Sequence, residues 1–311
     1  MGMPGRDHDV KDPSLLTVIV DVNPFQWADC PLPLDAAMRQ IVVFFNAYLA
    51  LKPQNQLAII AASTDACRFV YPTSGSGQSL DTSSSSSSGT SSGSTSLSTV
   101  YHRFRKVNEL FIAGIQDMVS KERESPGRDA STSMIASAMS RALCYANRVA
   151  KANPFTRYHS RLLILSVSDD ASSQYIQIMN AIFSAQKSHT LIDVAKVHGP
   201  DSIFLQQAAD ITQGNYLRLS KPEGLLGYLM TSFLPDHYTR TFIYLPGKDQ
   251  VDFRAACFCH KHIIDVGYVC SVCLSIFCKF MPECTTCNTR FEKGLASATP
   301  DGVTSATDAF T

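Results

Sequence analysis

The sequence predicts an α/β fold: a doubly wound, mostly parallel sheet followed by a small cysteine-rich zinc module. Three observations predict it. Short apolar runs alternate with segments whose apolar residues recur every three or four positions. These are the marks of strands buried on both faces and of amphipathic helices. The first run, Leu15 to Val20, stops at a carboxylate, Asp21. Seven of the ten cysteines crowd between Cys257 and Cys287.

The elements follow in order. Leu15–Asp21 reads as a central strand. A proline-rich loop leads to Pro33, which suits a first helical turn. The helix after it carries Leu34, Met38, Ile41, Val42, Phe45 and Tyr48 on one face, and Pro53 lies beyond its end. Gln56–Ala62 reads as a second strand. Cys67–Tyr71 follows so closely that a hairpin, and an antiparallel edge strand, is expected. From Thr73 to Thr99 the chain is nearly all Ser, Thr and Gly. Such a stretch cannot bury enough surface to offset its ordering entropy, so 73–99 is expected to be a disordered insertion.

Two helices come next, through Val107, Phe111, Ile115 and Met118, and through Ile135, Met139, Ala142, Ala146 and Val149. Arg161–Val167 is a continuous apolar strand ending at Ser168-Asp169-Asp170. A helix through Tyr175, Met179, Ile182 and Phe183 leads to a strand at Leu191–Val197. A helix from about Ser202 closes at Gly214, a C-cap signal. A short strand at Asn215–Leu219 precedes a last helix through Leu225, Leu229 and Phe233. Arg240–Phe253 is β-like. The expected organisation is therefore a flexible N-terminus (1–13), an α/β domain (14–239), a connector (240–256), a zinc module (257–293) and a disordered tail (294–311).

Composition narrows the function. Twenty-seven basic residues balance 27 acidic ones, so no global charge favours tight nucleic-acid binding. The N-terminus is polar and lacks a signal-peptide core, and no run approaches a transmembrane length, so a soluble, intracellular chain without membrane contact is expected. The sequence has neither a Gly-x-x-x-x-Gly-Lys-Ser/Thr phosphate loop nor a Gly-x-Ser-x-Gly nucleophile elbow.

Without a secretory signal, clustered cysteines point to metal rather than disulfides. Cys270-Ser-Val-Cys273 and Cys284-Thr-Thr-Cys287 are separated by ten residues. Each pair forms a knuckle that presents two thiolates to one ion, and two knuckles complete a tetrahedron. Cys270, Cys273, Cys284 and Cys287 are the expected ligands of one structural Zn2+. Four thiolates close the site, whereas a catalytic zinc keeps an open position. Cys257, Cys259 and Cys278, with His260 or His262, can form a second site or exchange partners in a cross-braced, RING-like order. The simpler reading leaves both histidines as solvent-exposed turn residues. Leu274, Ile276 and Phe277 are expected to be exposed and to suit a protein partner.

An acidic residue ending the first strand of such a sheet resembles the von Willebrand A domain. That family binds Mg2+ through Asp-x-Ser-x-Ser and later Thr and Asp residues. Here the stretch is Asp21-Val22-Asn23-Pro24-Phe25, with Asp169 or Asp170 available as the later carboxylate. Phe25 has no ligand atom, and Mg2+ demands near-octahedral oxygen coordination, so no Mg2+ is expected. Asp21 and Asn23 are expected to hydrogen-bond the adjoining loops instead.

The combination of an A-like domain, a degraded metal site, ACFCHKHIIDVGYVCSVCLSIFC and CTTC resembles a family of core subunits of the general transcription and DNA repair factor TFIIH. The resemblance covers about residues 14–293. It implies a nuclear, non-catalytic structural subunit acting through protein–protein contacts in RNA polymerase II transcription initiation and nucleotide excision repair. It also implies contact with the neighbouring zinc-bearing subunit through the A-like domain, and only indirect association with DNA. A RING-like ubiquitin ligase or a zinc-dependent nucleic-acid-binding module is the alternative.

Overall fold

The computed structural model describes residues 13–73, 95–124, 131–156, 158–170, 172–236, 238–244, 251, 257–260 and 264–291. The expectations for 1–12, for 74–94 and for the tail after 291 lie outside the described residues. The chain divides into two compact units, Met1–Asp252 and Phe253–Thr311.

The first unit runs β1 (Ser14–Asp21), α1 (Pro24–Ala28), α2 (Leu34–Leu51), β2 (Gln56–Ala62), β3 (Cys67–Tyr71), α3 (Thr95–Glu124), α4 (Ile135–Ala152), β4 (His159–Ser166), α5 (Tyr175–Lys187), β5 (Leu191–Lys196), α6 (Ile203–Ile211), β6 (Tyr216–Arg218) and α7 (Leu225–Tyr228). Six strands form one sheet in the order β3-β2-β1-β4-β5-β6. β1 lies at the centre, parallel to both β2 and β4, with Val18 facing Ile59 and Leu163. β5 and β6 continue the parallel sheet. β3 alone is antiparallel and stands at the edge, as its short link to β2 requires.

Alternate residues of the central strands feed two cores, as the period of a strand dictates. Leu16, Val18 and Val20 of β1 join α2, α3 and α7 on one face, where Phe44, Phe45, Phe111 and Leu229 are buried. Ile19, Ile60 and Ile164 join α4, α5 and α6 on the other, where small residues such as Ala138, Ala142 and Ala208 allow close approach. All eight positions of β1 are buried. Each buried Leu, Ile or Val contributes about 1.5–3 kcal/mol, so this strand is the fold's main anchor. α2 is long and apolar enough, by length and composition, to cross a membrane. Its apolar face is instead packed into the core through Met38, Ile41, Phe44, Phe45 and Tyr48.

Several elements differ from the sequence reading. The proline-rich loop contains α1, because Asn23 caps Phe25 N–H with its side-chain oxygen and Pro24 occupies the first turn. α3 starts at Thr95, so the last five residues of the expected 73–99 insertion are helical. The last expected helix is a 3-10 turn at Pro222–Gly224, one α-turn, then a π-turn at Leu229–Phe233. The β-like start at Arg240 is a 3-10 turn, Thr239–Thr241. Arg240 is held there by Asp193 rather than by a neighbouring strand.

Gly214 also acts differently from the C-cap expected. The left-handed residue after α6 is Gln213, at φ 61°. Gly214 N–H donates to Ala209 and Gln213 N–H donates to Asp210, which completes a Schellman motif. The glycine is needed because β5 presses against it: a Cβ there would lie 1.9 Å from the Ile192 carbonyl oxygen.

Among its described residues the second unit has one hairpin, β7 (Tyr268–Val269) against β8 (Ile276–Phe277), wrapped around the first Cys-x-x-Cys turn. Its small core is Cys270, Phe277 and Cys284, with Phe258, Met281 and Phe291 around them. Phe277, expected at the surface, is only 3% exposed; Leu274 is exposed and Ile276 half-buried.

Candidate functional site

Parallel sheets place their sites beyond the carboxyl ends of the strands, where the crossovers diverge. In the first unit that place is the crevice between β1 and β4, with Asp21 on one side and the 167–170 loop on the other. Asp21 is fully buried. Its Oδ2 accepts from Val167 N–H at 3.1 Å and Ser168 N–H at 2.8 Å, and its Oδ1 accepts from Asn23 N–H at 3.2 Å. Asn23 Nδ2 donates to Ser168 Oγ at 3.1 Å and to the Thr132 carbonyl at 3.4 Å. The two residues thus staple the loops to each other, as expected of them.

The same residues do not fit Mg2+. Both oxygens of Asp21 face backbone N–H groups, and Asn23 turns its amide nitrogen toward Ser168. Phe25 is half-exposed and brings no ligand atom. Asp170 points away and caps α6, accepting from Ser202 Oγ and from Phe204 N–H at 3.3 Å. Burial raises the Asp170 carboxyl above its usual range, against the hydrogen bonds from Ser202 and Phe204. Beside this network lies Lys196, the last residue of β5, fully buried, with Nζ donating to the Ser168 carbonyl at 2.6 Å. Nothing in the sequence singled it out.

The second unit gathers its cysteines into two groups. Cys270, Cys273, Cys284 and Cys287 form one; Cys257, Cys259, His260 and Cys278 form the other. Within each group the candidate ligand atoms all lie within 4.8 Å of one another. In the first group Cys270 and Cys287 sulfurs are 3.7 Å apart, and Cys273 and Cys284 are 3.5 Å apart. A tetrahedron with Zn–S bonds of about 2.3 Å has edges of about 3.8 Å, so the donor set fits zinc.

The two knuckles are built alike. After each pair, one residue takes a left-handed turn: Leu274 at φ 59° and Asn288 at φ 57°. The next residue, Ser275 or Thr289, accepts at its carbonyl a hydrogen bond from the first cysteine's N–H, at 2.9 and 2.8 Å. Its hydroxyl then sits 3.0 Å from the second cysteine's sulfur. The Thr289 hydroxyl and N–H hold the Cys287 thiol down at about 6, while burial pushes Cys284 up to about 11. The signal for this was present as Cys-x-x-Cys-x-Ser/Thr.

In the second group Cys259 and Cys278 sulfurs are 3.4 Å apart, and His260 Nδ1 lies 3.2 Å from Cys278. His260 is solvent-exposed in a turn, as the simpler sequence reading had it, with its Nδ1 within reach of Cys278; His262 lies outside the described residues. Phe258 N–H donates to the Ile276 carbonyl, tying this group to the hairpin that carries the other. The groups alternate along the chain. Cys257, Cys259 and His260 belong to one, Cys270 and Cys273 to the other, Cys278 to the first again, and Cys284 and Cys287 to the second. That is a cross-braced order.

Both units are found together in known proteins. The chain is 40% identical over 281 residues to the fission yeast (Schizosaccharomyces pombe) general transcription and DNA repair factor IIH subunit tfb4, covering 90% of this chain and 89% of that one. It is 36% identical over 296 residues to the Saccharomyces cerevisiae subunit TFB4, covering 91% and 87%. Among solved structures, the TFIIH p34 N-terminal domain matches with a TM-score of 0.58 and 32% identity, covering 71% of this chain and 98% of that one. Residues 13–288, spanning the sheet, the crevice and both cysteine groups, match the family described as Transcription factor Tfb4, and the chain belongs to that family.

Proposed function

We propose that this chain is a nuclear, non-catalytic structural subunit of the TFIIH core, working through protein–protein contacts in RNA polymerase II transcription initiation and nucleotide excision repair. The observation that carries the reading is similarity across both units, at 90% coverage, to a relative named as a TFIIH subunit. A closed crevice and closed donor sets support a scaffold rather than an enzyme. In this reading Cys270, Cys273, Cys284 and Cys287 hold one structural Zn2+. Cys257, Cys259, His260 and Cys278 hold a second, which gives a short segment the core it could not otherwise form. The A-like unit meets the neighbouring zinc-bearing subunit, and contact with DNA is indirect.

Depletion tests this. Removing the chain from a nuclear extract is expected to abolish both promoter-dependent transcription and damage excision, and returning the complex that contains it restores both. An extract that keeps both activities after complete depletion overturns the reading.

A further inference from the structure

The crevice of the A-like unit poses an electrostatic question. Asp21 is fully buried, and Asp169 has a carboxylate oxygen, Oδ1, that is buried with no hydrogen-bond partner. Carboxylates at such a place need a counter-charge. A divalent cation does not fit, because both Asp21 oxygens are already engaged by backbone N–H groups and Phe25 brings no ligand atom.

Lys196 is the candidate. It is fully buried at the end of β5, and Asp21, Asp169, Asp170 and Asp201 act on it electrostatically, Asp21 most strongly. Its Nζ donates to the carbonyl of Ser168, the residue whose N–H donates to Asp21. Gly199 passes over it: a Cβ at that glycine would lie 3.7 Å from Nζ. Burial lowers the Lys196 pKa and the four carboxylates oppose that shift.

We infer that the Lys196 ammonium is a built-in cation, taking the place of the divalent ion of A-like domains by neutralising the crevice carboxylates and fixing the 167–170 loop. Because it has no exposed surface, a partner's carboxylate cannot reach it as it would reach a bound metal. Any partner on this face must therefore be recognised by the loops themselves, without a bridging ion. This goes beyond the scaffold reading and does not depend on it.

The test uses the full chain, whose single tryptophan is placed to report. Trp27 Nε1 donates to the Asp21 carbonyl at 2.7 Å. Thermal unfolding is followed by its emission for the wild type, Lys196→Met, Asp169→Asn and the double variant. Asp169 is the cleaner carboxylate to change, because an amide at Asp21 would set its own N–H groups against the backbone N–H groups of Val167, Ser168 and Asn23 that now donate to it. Lys196→Met is expected to lower the midpoint by about 10 °C. Millimolar Mg2+ is expected to leave the wild type and Lys196→Met alike unmoved, because both Asp21 oxygens stay engaged by backbone N–H groups. The double variant should lose less than the sum of the single losses. A Lys196→Met protein that melts like the wild type, additive losses, or a wild type stabilised by Mg2+ would each overturn the inference. If Lys196→Met fails to fold, the double variant decides: folding supports the inference, and failure refutes it.

Discussion

At the scale of single residues, the most consequential group is a carboxylate between two guanidiniums. Asp193 of β5 is fully buried. Arg240 grips it with two bonds, at 2.8 and 2.6 Å, and Arg161 of β4 lies 3.5 Å away. Arg161 also donates to the carbonyls of Phe233 and Pro235, and Arg240 to that of Pro235. The trio fixes the segment around Phe233 and Pro235 to β4 and β5. Removing one member of a buried pair leaves an uncompensated charge. Asp193→Ala should therefore destabilise the first unit by about 3–5 kcal/mol in urea unfolding; a loss below about 1 kcal/mol would show that the arginines relax into solvent. None of this was legible beforehand. Asp193 and Arg161 sit inside apolar strands, and a one-dimensional pattern does not say which distant charge meets them. Asp21 was legible, because an acid that ends a buried strand has few places to go.

At the scale of elements, regular patterns were readable and junctions were not. All six strands of the first unit's sheet were found from their apolar runs, with ends shifted by a residue or two. α1 was missed although Asn23-Pro24 is a cap followed by a first-turn proline, because the prolines around it suggested an open loop. The end of α6 shows the same limit: glycine was expected for its backbone freedom and is required for space. Two substitutions separate these roles. Gln213→Gly relieves a left-handed backbone and should stabilise the first unit by about 0.5–1 kcal/mol. Gly214→Ala drives a methyl into the Ile192 carbonyl and should cost about 3 kcal/mol or more. Chemical denaturation checks both, and equal effects of the same sign would contradict the assignment.

The knuckles carry their own prediction at this scale. Protons compete with metal for thiolates, so affinity falls as pH falls. The Thr289 hydroxyl and N–H lower the Cys287 thiol, favouring its thiolate. Metal release on acidification should therefore shift to higher pH in Thr289→Val. Release followed with a colorimetric zinc indicator checks the direction; an unchanged profile in Thr289→Val would remove the hydroxyl from the account. The cluster's existence was plain from spacing. Its first donor set was also plain, and the second was one of two readings left open; the hairpin that brings Cys278 back to Cys259 and His260 favours it.

At the scale of the whole molecule, two compact units stand on different physics. The first is held by apolar burial on both faces of a sheet and carries its own counter-charges. The second has a core of a few residues beside two groups of cysteines that could hold metal. Strong chelation should strip zinc from the chain without changing the emission of Trp27. Parallel loss of that emission would show that the first unit also depends on metal. The central claim concerns assembly, and purification tests it most directly. The tagged chain is recovered from nuclear extract at moderate salt, and everything retained is quantified by mass spectrometry. Recovery of the other TFIIH core subunits in near-equal amounts, the zinc-bearing neighbour among them, is the predicted result. Recovery of the chain alone, or with ubiquitin-conjugating enzymes in their place, would contradict it.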